Sequence, residues 1–401
     1  MALQTNRKGE RDMNTEIKEH LVNKIIPFWK AVHDDEFGGY YGYLDYELNL
    51  DKKAVKGCIL NSRITWFFSK AYKLLGDESL LKEAKHGYAF LKEHCLDREH
   101  GGVFWSVKYD GTPEDTTKHT YNQAFSIYAL SAYYDATGDK ESIKIAEDIY
   151  RVIEEKCMDT EGYLEAFDRN FQPVENDKLS ENGVIADKTM NTLLHVFEAY
   201  TEFYRVTKRE DVKKRLEWIL DIIADKIYNP ALKRQEVFFD AHYNSLIDLH
   251  SYGHDIETAW LLDYGTEVLG EELYKEKIHK ISRALTETIY KTAFDGHSVS
   301  NECEKGVVDT DRVWWVQAEA LLGFLNGYQY DNTKTEYLEA ARDIWEYIKE
   351  YVVDHRNGSE WFWVVDKDGR PYDRPIIEPW KCPYHNGRMC LEVIRRGIDV
   401  A

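Results

Sequence analysis

Residues 59–95, ILNSRITWFFSKAYKLLGDESLLKEAKHGYAFLKEHC, contain two helical patterns of different kinds. The first half is apolar on almost every side, which is typical of a helix that is buried all round. The second half repeats apolar residues at intervals of three and four, with Lys and Glu between them: Leu81, Ala84, Tyr88, Leu91 and Cys95. This spacing indicates a helix with one buried face. Because Gly76-Asp77 has turn and cap chemistry, the stretch predicts a pair of helices joined by a short turn.

The same pair recurs along the whole chain. Further amphipathic segments cover roughly 15–33, 141–156, 210–227, 272–292 and 335–353. Segments that are apolar on almost every side begin near residues 59, 119, 187, 252, 311 and 383. A repeat of this length predicts an all-α fold, an (α/α)6 barrel with six buried inner helices inside a ring of six outer helices. The start of the sixth inner helix is the least determined, because Pro383 and Gly387 delay it.

The connections between the helices alternate as well. Each inner segment passes to the next outer one through a short polar turn, whereas each outer helix reaches the next inner one through about 20 to 30 residues. These long links contain short β-like patches at 102–107, 163–167, 237–239 and 361–365. Asp110-Gly111 and Asp368-Gly369 are typical of hairpin turns. We therefore expect short β-hairpin loops and the functional site at the same end of the barrel.

The composition suits a protein that binds sugars. With 43% hydrophobic residues, the 401-residue chain has enough apolar material for a large core. Its net charge of −20 repels nucleic-acid phosphates and anionic membrane surfaces. The 28 Tyr and 11 Trp residues offer flat apolar faces with a polar edge, which match the C–H faces and hydroxyl edges of a sugar. A rigid aromatic scaffold explains the same composition, so the placement of polar residues must decide.

The chain carries no sign of a membrane or secretory protein. It has no run of 18 apolar residues, and its first residues, MALQTNRKGERD, lack an apolar signal core. The six cysteines form no C-x-x-C pair, which fits reduced thiols. We therefore expect a cytoplasmic monomer, with residues 1–12 as a disordered extension and 13–401 as a single catalytic domain.

Polar side chains cluster at the beginnings of the inner segments. An inner helix meets water only at the barrel mouth, so polar residues on it are costly unless they are satisfied or used. Helical steps of three or four place several of them on shared faces. The candidate site residues are Arg63, Tyr121, Asn122, Asn191, His195, His254, Glu257, Trp260, Trp315, Glu319, Trp380 and His385.

Three functions fit this set of residues. Glu257 and Glu319 could serve as the paired carboxyls of an (α/α)6 glycoside hydrolase. Several histidines beside an arginine instead suit proton removal next to a carbonyl, where the cation stabilises an enolate oxygen. A non-catalytic sugar-binding barrel is a third possibility, which the surplus of titratable residues at the mouth disfavours.

The sequence predicts neither a metal nor a cofactor. His250 and His254 have the i,i+4 spacing of zinc ligands, but the Ser-Tyr-Gly between them does not match H-E-x-x-H. Asp34, Asp35 and Glu36 could pass for a cation loop, although a solvated turn is the simpler interpretation. The strings G-x-G-x-x-G and G-x-S-x-G and the P-loop are absent.

Five strings, taken together, resemble a known family. They are Gly57–Arg63, Lys188–Asn191 with His195, Ser251–Glu257, Trp314-Trp315 with Glu319, and Trp380–Arg388. From about residue 14 to the C-terminus the chain resembles the cellobiose 2-epimerases, which belong to the N-acylglucosamine 2-epimerase superfamily. It departs from the family pattern at Leu193, where His is expected, whereas His195 keeps its place.

The resemblance implies an (α/α)6 barrel and reversible epimerisation at C2 of the reducing-end glucose of β-1,4-linked disaccharides, without a cofactor. Cellobiose would become glucosyl-mannose, and lactose would become epilactose, through ring opening and an enediolate. His254 and His385 match the acid/base pair, and we expect one to be neutral and the other protonated when the sugar binds. Arg63 matches the residue that holds the oxyanion, and His195 the ring-opening helper.

The other eight candidate residues would bind the sugar or orient a histidine, with Trp315 and Trp380 stacking on the substrate. A mannose isomerase or an N-acylglucosamine 2-epimerase of the same superfamily stays open as an alternative.

Overall fold

The computed structural model describes residues 12–176, 178–179 and 182–398. In these ranges the α-helices are α1 (Met13–His20), α2 (Ile26–Ala31), α3 (Cys58–Leu75), α4 (Glu78–Phe90), α5 (Thr120–Thr137), α6 (Lys140–Lys156), α7 (Met190–Thr207), α8 (Glu210–Ile222), α9 (Tyr252–Leu269), α10 (Glu272–Thr292), α11 (Trp314–Tyr330), α12 (Thr335–Tyr347) and α13 (His385–Arg396). π-Helical turns join α1 to α2 and extend α4, α8 and α12: Leu21–Ile25, Leu91–Cys95, Ile223–Ile227 and Ile348–Val352.

The odd-numbered helices from α3 to α13 form the inner ring, and the remaining helices lie outside it. Each inner helix contacts the next one along the chain, and α13 contacts α3, so the ring closes. Burial differs between the two kinds of helix: α5 begins with an unbroken buried run from Thr120 to Tyr133, whereas α6 buries a single face around Ala146, Ile149 and Ile153. The predicted (α/α)6 barrel is confirmed.

The short turns between paired helices depend on residues that adopt a left-handed backbone. Gly76, Gly138 and Gly270 follow α3, α5 and α9 with φ values of 70° to 79°. Lys208 takes the same conformation after α7, with φ at 54°. Glycine adopts this region without a steric penalty, which explains the Gly-Asp and Gly-Glu signals at three of these turns.

Short strands lie in the long links of the described residues: β1 (Lys56–Gly57), β2 (Ser106–Val107), β3 (Pro113–Asp115), β4 (Lys118–His119), β5 (Ala166–Phe167), β6 (Lys188–Thr189), β7 (Tyr228–Asn229), β8 (Arg234–Gln235), β9 (Phe238–Phe239), β10 (Leu249–Ser251), β11 (Glu302–Glu304), β12 (Val307–Asp309), β13 (Arg312–Val313) and β14 (Val364–Val365). The strand that leads into an inner helix pairs with a strand of the following link, always antiparallel: β1 with β2, β4 with β5, β6 with β9, β10 with β11, and β13 with β14.

These pairs surround one end of the barrel. A bridge between Leu44 and Ile377 joins the first link to the last. Asp110-Gly111 lies in the turn between β2 and β3, and Asp368-Gly369 lies between the bridged residues Val365 and Pro371. Both hairpin predictions are therefore confirmed.

Ion pairs with a buried lysine or arginine close four of the long links. In each, an aspartate just after an outer helix contacts a cation two residues before the next inner helix, at 2.5 to 3.0 Å: Asp34–Lys56, Asp97–Lys118, Asp159–Lys188 and Asp295–Arg312. Lys56 thus occupies the Asp34 carboxylate, so the structure gives no support to a cation loop there. The link into α9 has uncharged Asn229 at the aspartate position and His250 at the cation position.

Two inner helices begin later than the sequence predicts. α7 starts at Met190 rather than near 187, and α11 starts at Trp314 rather than near 311, because β6 and β13 occupy the residues in between. Residues 1–11 of the predicted N-terminal extension lie outside the described residues. Asp12 accepts a hydrogen bond from the Thr15 N–H at 3.3 Å and so caps α1.

A hydrophobic core cluster extends from Met13 in α1 to Val393 in α13. No helix in the described ranges combines the length and the apolarity that crossing a membrane requires.

Candidate active site

A cavity opens at the end of the barrel that carries the β contacts. The predicted site residues that line it are Arg63, Tyr121, Asn191, His195, His254, Glu257, Trp315, Trp380 and His385. The long links add further wall residues, including Phe238, Asn301 and Trp363. The helix starts therefore converge as the sequence predicts.

Three of the predicted substrate-binding residues do not line this cavity: Asn122, Trp260 and Glu319. Asn122 is buried, and its Nδ2 donates to the Phe104 carbonyl at 2.8 Å. Trp260 Nε1 donates to Glu319 Oε2 at 2.9 Å, one layer behind the wall. Asn122 follows Tyr121 by one residue and so points about 100° around the helix from it, whereas Trp260 lies three residues, about 4.5 Å, deeper along α9 than Glu257.

The His385 side of the cavity is charged. His385 Nδ1 lies 2.7 Å from Glu319 Oε1 and 3.9 Å from Glu257 Oε1. Burial, together with the neighbouring Glu319, raises the pKa of Glu257 to about 8. Burial and the Arg388 charge hold the pKa of His385 well below its usual value. This side therefore keeps a neutral imidazole next to a carboxyl that holds its proton at neutral pH.

Arg388, which is not among the predicted site residues, binds the buried carboxyl groups of this side. Its Nη1 lies 2.5 Å from Glu198 Oε1, and its Nη2 lies 2.7 Å from Glu319 Oε1 and also contacts Glu257. Among the described residues, the ligand atoms of Glu257, Glu319 and His385 come within 4.8 Å of one another, as metal ligands would. The Arg388 guanidinium contacts both Glu257 and Glu319, so the cluster has its cation without a metal.

His195 is held by a second ionised group. Its Nδ1 lies 2.9 Å from Glu198 Oε2, and the Tyr384 hydroxyl donates to the same oxygen. Arg388 and these hydrogen bonds overcome burial and lower the pKa of Glu198 to about 2. Burial lowers the pKa of His195, so a neutral imidazole faces the cavity. The i,i+3 spacing of His195 and Glu198 and the i,i+4 spacing of Tyr384 and Arg388 are the signals that sequence reasoning could have used.

The His254 side of the cavity is uncharged in comparison. Its Nδ1 lies 2.7 Å from the Ser251 hydroxyl, and its ring packs on Trp315 with 4.8 Å between centroids. Burial lowers the pKa of His254 to about 3. His254 and His385 are thus both neutral in the free cavity near pH 7, and the expectation that one of them is protonated when the sugar binds stays a prediction. His250 bonds Asp255 at 2.8 Å, so the two histidines of the zinc alternative have different partners.

Arg63 places a fixed cation at the cavity wall. Its Nη2 donates to the Tyr121 hydroxyl at 2.7 Å, and its guanidinium lies 4.1 Å from the Phe125 ring centroid. Nearby, the Asn191 Oδ1 is buried and has no hydrogen-bond partner among the described residues. An arginine held by a hydroxyl and an aromatic face is oriented before substrate arrives, and a buried amide oxygen without a partner is ready to accept a hydroxyl.

Comparison with known proteins agrees with this geometry. The chain matches the family model described as N-acylglucosamine 2-epimerase over residues 39–387. It is 53% identical to a cellobiose 2-epimerase of Eubacterium cellulosolvens, over 96% of this chain and 99% of that protein. A solved sugar epimerase from a ruminal bacterium has a TM-score of 0.95 and 50% identity, over 96% of this chain and 100% of that one.

The solved cellobiose 2-epimerase of Bacillus thermoamylovorans has a TM-score of 0.93 and 44% identity, over 96% of this chain and 99% of that one. The resemblance drawn from the sequence motifs is confirmed. This protein therefore belongs to the N-acylglucosamine 2-epimerase family, among the relatives known as cellobiose 2-epimerases.

Proposed function

We propose that this protein reversibly epimerises C2 of the reducing-end glucose of β-1,4-linked disaccharides, converting cellobiose to glucosyl-mannose and lactose to epilactose. The observation that carries the proposal is the approach of His254 and His385 to one cavity from α9 and α13, which α11 separates in the inner ring. Inversion at carbon requires proton transfer at two faces of the reacting atom, and two bases on different helices supply it.

The reaction proceeds through an open-chain sugar. His195, oriented by Glu198, assists ring opening. One histidine removes the C2 proton, and the electron pair of the C–H bond passes into an enediolate. Arg63 stabilises the developing oxyanion with a positive charge that needs no reorganisation. The opposite face of C2 then receives a proton and the enediolate returns to the aldehyde, with His254 and His385 as the two acid/base groups. No step requires a metal or a cofactor.

The remaining polar and aromatic wall residues bind the sugar. Trp315 and Trp380 offer flat faces for stacking, and Tyr121 presents a hydroxyl that Arg63 already orients. Asn191 accepts a sugar hydroxyl with its buried oxygen. We assign Asn122, Trp260 and Glu319 to support of the wall, because they bond other protein groups behind it.

Hydrolysis is less compatible with the carboxyl geometry. Glycosidases place two carboxyls on either side of the scissile bond, about 5 Å apart or more. Glu257 and Glu319 instead bind the same Arg388 nitrogen, and Glu319 does not line the cavity. The pair therefore lies on one side of any bound sugar.

The direct test is incubation with cellobiose in D2O, followed by NMR and mass spectrometry. We expect a new disaccharide that carries deuterium at C2 wherever the proton exchanges with solvent. Release of glucose would instead indicate a hydrolase, and an unchanged sugar would indicate a binding protein. D-Mannose and N-acetylglucosamine tested in parallel separate the two alternatives within the superfamily. The His254→Ala/His385→Ala double variant, purified identically, controls for contaminating activity.

We also propose that residues 13–401 act as one catalytic domain in a cytoplasmic monomer. The cavity wall comes from every inner helix or its preceding link, which supports a single catalytic unit. All six cysteines are free, and five of them are buried, which supports a reducing compartment. Analytical ultracentrifugation and cell fractionation test these two points.

A further inference from the structure

Ser251 occupies the N-cap position of α9, the helix that carries His254, but does not cap it. A serine at this position ordinarily accepts a hydrogen bond from the backbone N–H two or three residues later. Thr189 does so at the start of α7, where it accepts from the Thr192 N–H at 3.0 Å. The Ser251 hydroxyl instead lies 2.7 Å from His254 Nδ1. It thus binds the side chain of the residue whose backbone it would normally cap.

Both partners of this contact are held in place. Ser251 is buried at the end of β10, where its backbone is paired with Glu302 of β11. The His254 ring packs on Trp315 and lines the cavity. Since Nδ1 is engaged, Nε2 is the ring nitrogen that remains for a substrate. The contact therefore fixes the orientation of the ring.

The other two cavity histidines have carboxyl groups at the equivalent nitrogen. His195 Nδ1 faces Glu198 at 2.9 Å, and His385 Nδ1 faces Glu319 at 2.7 Å. A carboxylate stabilises the imidazolium that forms when Nε2 takes up a proton, and so makes the histidine a stronger base. A hydroxyl accepts the Nδ1–H without adding charge. Of the three cavity histidines, His254 is thus the one whose Nδ1 partner is uncharged.

We propose that Ser251 is a positioning residue that holds His254 with its hydrogen on Nδ1 and its Nε2 lone pair toward C2 of the sugar. The inference deepens the proposed epimerase function and depends on it. In the step it serves, the C2–H bond breaks, the proton passes to Nε2, and the electron pair enters the enediolate. In the reverse step, Nε2 returns the proton to the carbon and regains its lone pair. Ser251 remains the acceptor throughout.

The test compares Ser251→Ala and Ser251→Thr with Thr189→Ala as the matched control. Ser251→Ala should lower kcat by roughly tenfold or more, a fraction of what a positioned acid or base contributes, with little change in KM. Its melting temperature should match the wild type, because no helix cap is lost. Ser251→Thr keeps the hydroxyl and should restore kcat. Thr189→Ala should show the opposite pattern, a lower melting temperature with a kcat close to that of the wild type.

A second measurement excludes a merely structural role. In D2O, Ser251→Ala should raise the ratio of C2 exchange to epimerisation for one of the two epimers, because the His385 half still works. A wild-type kcat in Ser251→Ala would overturn the inference, as would a loss that accompanies a lower melting temperature and persists in Ser251→Thr. If the wild type itself fails to convert cellobiose, the proposed function fails and this inference fails with it, so the two failures are distinguishable.

Discussion

The cavity uses the same side chain in two opposite electrostatic settings. His254 has a serine hydroxyl at Nδ1 and an aromatic ring beside it. His385 has Glu319 at 2.7 Å and Glu257 at 3.9 Å, and Arg388 binds both carboxyls. The difference shows where the charged and protonated groups of the cavity lie before the substrate binds. They are concentrated around His385, whereas the two groups that contact the His254 ring are uncharged.

The links that lead into α9 and α13 also differ in their charged residues. β10 enters α9 from the link that has Asn229 and His250 at the positions of the aspartate and the buried cation that pair in four other links. The segment before α13 instead contains Lys381, which forms a buried ion pair with Glu360. The two links therefore differ in the pairs that hold them, and His250 of the link into α9 binds Asp255 instead.

The largest expected effect comes from removing either histidine. His254→Ala and His385→Ala should each lower epimerisation by about 10²- to 10⁴-fold, the range of a positioned acid or base. Each variant should still exchange the C2 proton of one epimer in D2O, and the two variants should differ in which epimer that is. His242→Ala, at an exposed histidine paired with Glu161, serves as the control. Substantial epimerase activity in either active-site variant would contradict the two-base mechanism.

A change at Arg63 should affect both epimers equally, because the same oxyanion forms whichever histidine removes the proton. Arg63→Lys keeps the charge but loses the planar guanidinium that donates to Tyr121 and packs on Phe125. We expect turnover to fall by about 10²- to 10³-fold, as for loss of an oxyanion donor. Exchange at C2 should fall equally for both epimers, unlike in the histidine variants. Near-normal turnover in the lysine variant would argue against a positioning role for the guanidinium.

Glu257, in the cluster around His385, should also set the alkaline limit of activity. Glu257 has a pKa raised to about 8, so its carboxyl is neutral below that pH and ionised above it. We expect kcat/KM to fall as pH rises through about 8, and we expect the residual activity of Glu257→Gln to lack this fall. A wild-type profile that stays level well above pH 8 would contradict the assignment.

The stability of the protein should also depend on the protonation of Glu257. A raised carboxyl pKa contributes stability that is present below the usual value of 4.5 and lost as pH rises through about 8. The melting temperature of the wild type relative to Glu257→Gln should therefore decrease across that interval. A constant difference between the two proteins would place the proton elsewhere in the cluster.

The fold could be predicted from the sequence because hydrophobic periodicity marks each repeated pair of helices. Outer helices α6, α8 and α10 lie at or within one residue of their predicted bounds, once the π-turn of α8 is included. The same periodicity placed nine of the twelve candidate residues on the cavity wall, because polar residues on buried helices accumulate at the open end.

The partners of those residues could not be predicted in the same way. Arg388 lies on α13, whereas Glu198, Glu257 and Glu319 lie on α7, α9 and α11. Which buried charges meet depends on the rotation of each helix in the ring, and one sequence carries no direct signal of that. Ser251 was difficult for a different reason. A serine before a helix predicts an N-cap, and the sequence gives no sign that its hydroxyl binds His254 instead.

The smallest expected effect concerns the aromatic residue shared by the two halves. The Trp315 ring lies 4.8 Å from the His254 ring and 5.4 Å from the His385 ring, measured between centroids. Trp315→Ala should lower kcat/KM about three- to tenfold, mainly through KM, since an aromatic contact contributes about 0.5 to 1.5 kcal/mol beyond its buried area. Trp380→Ala should act similarly on the Arg63 side, where that ring lies 6.0 Å from the guanidinium. Circular dichroism should show an intact fold in both variants, and Trp315→Phe should recover part of the loss because it keeps a flat face. Unchanged catalytic efficiency in both alanine variants would show that the substrate is held without stacking on Trp315 or Trp380.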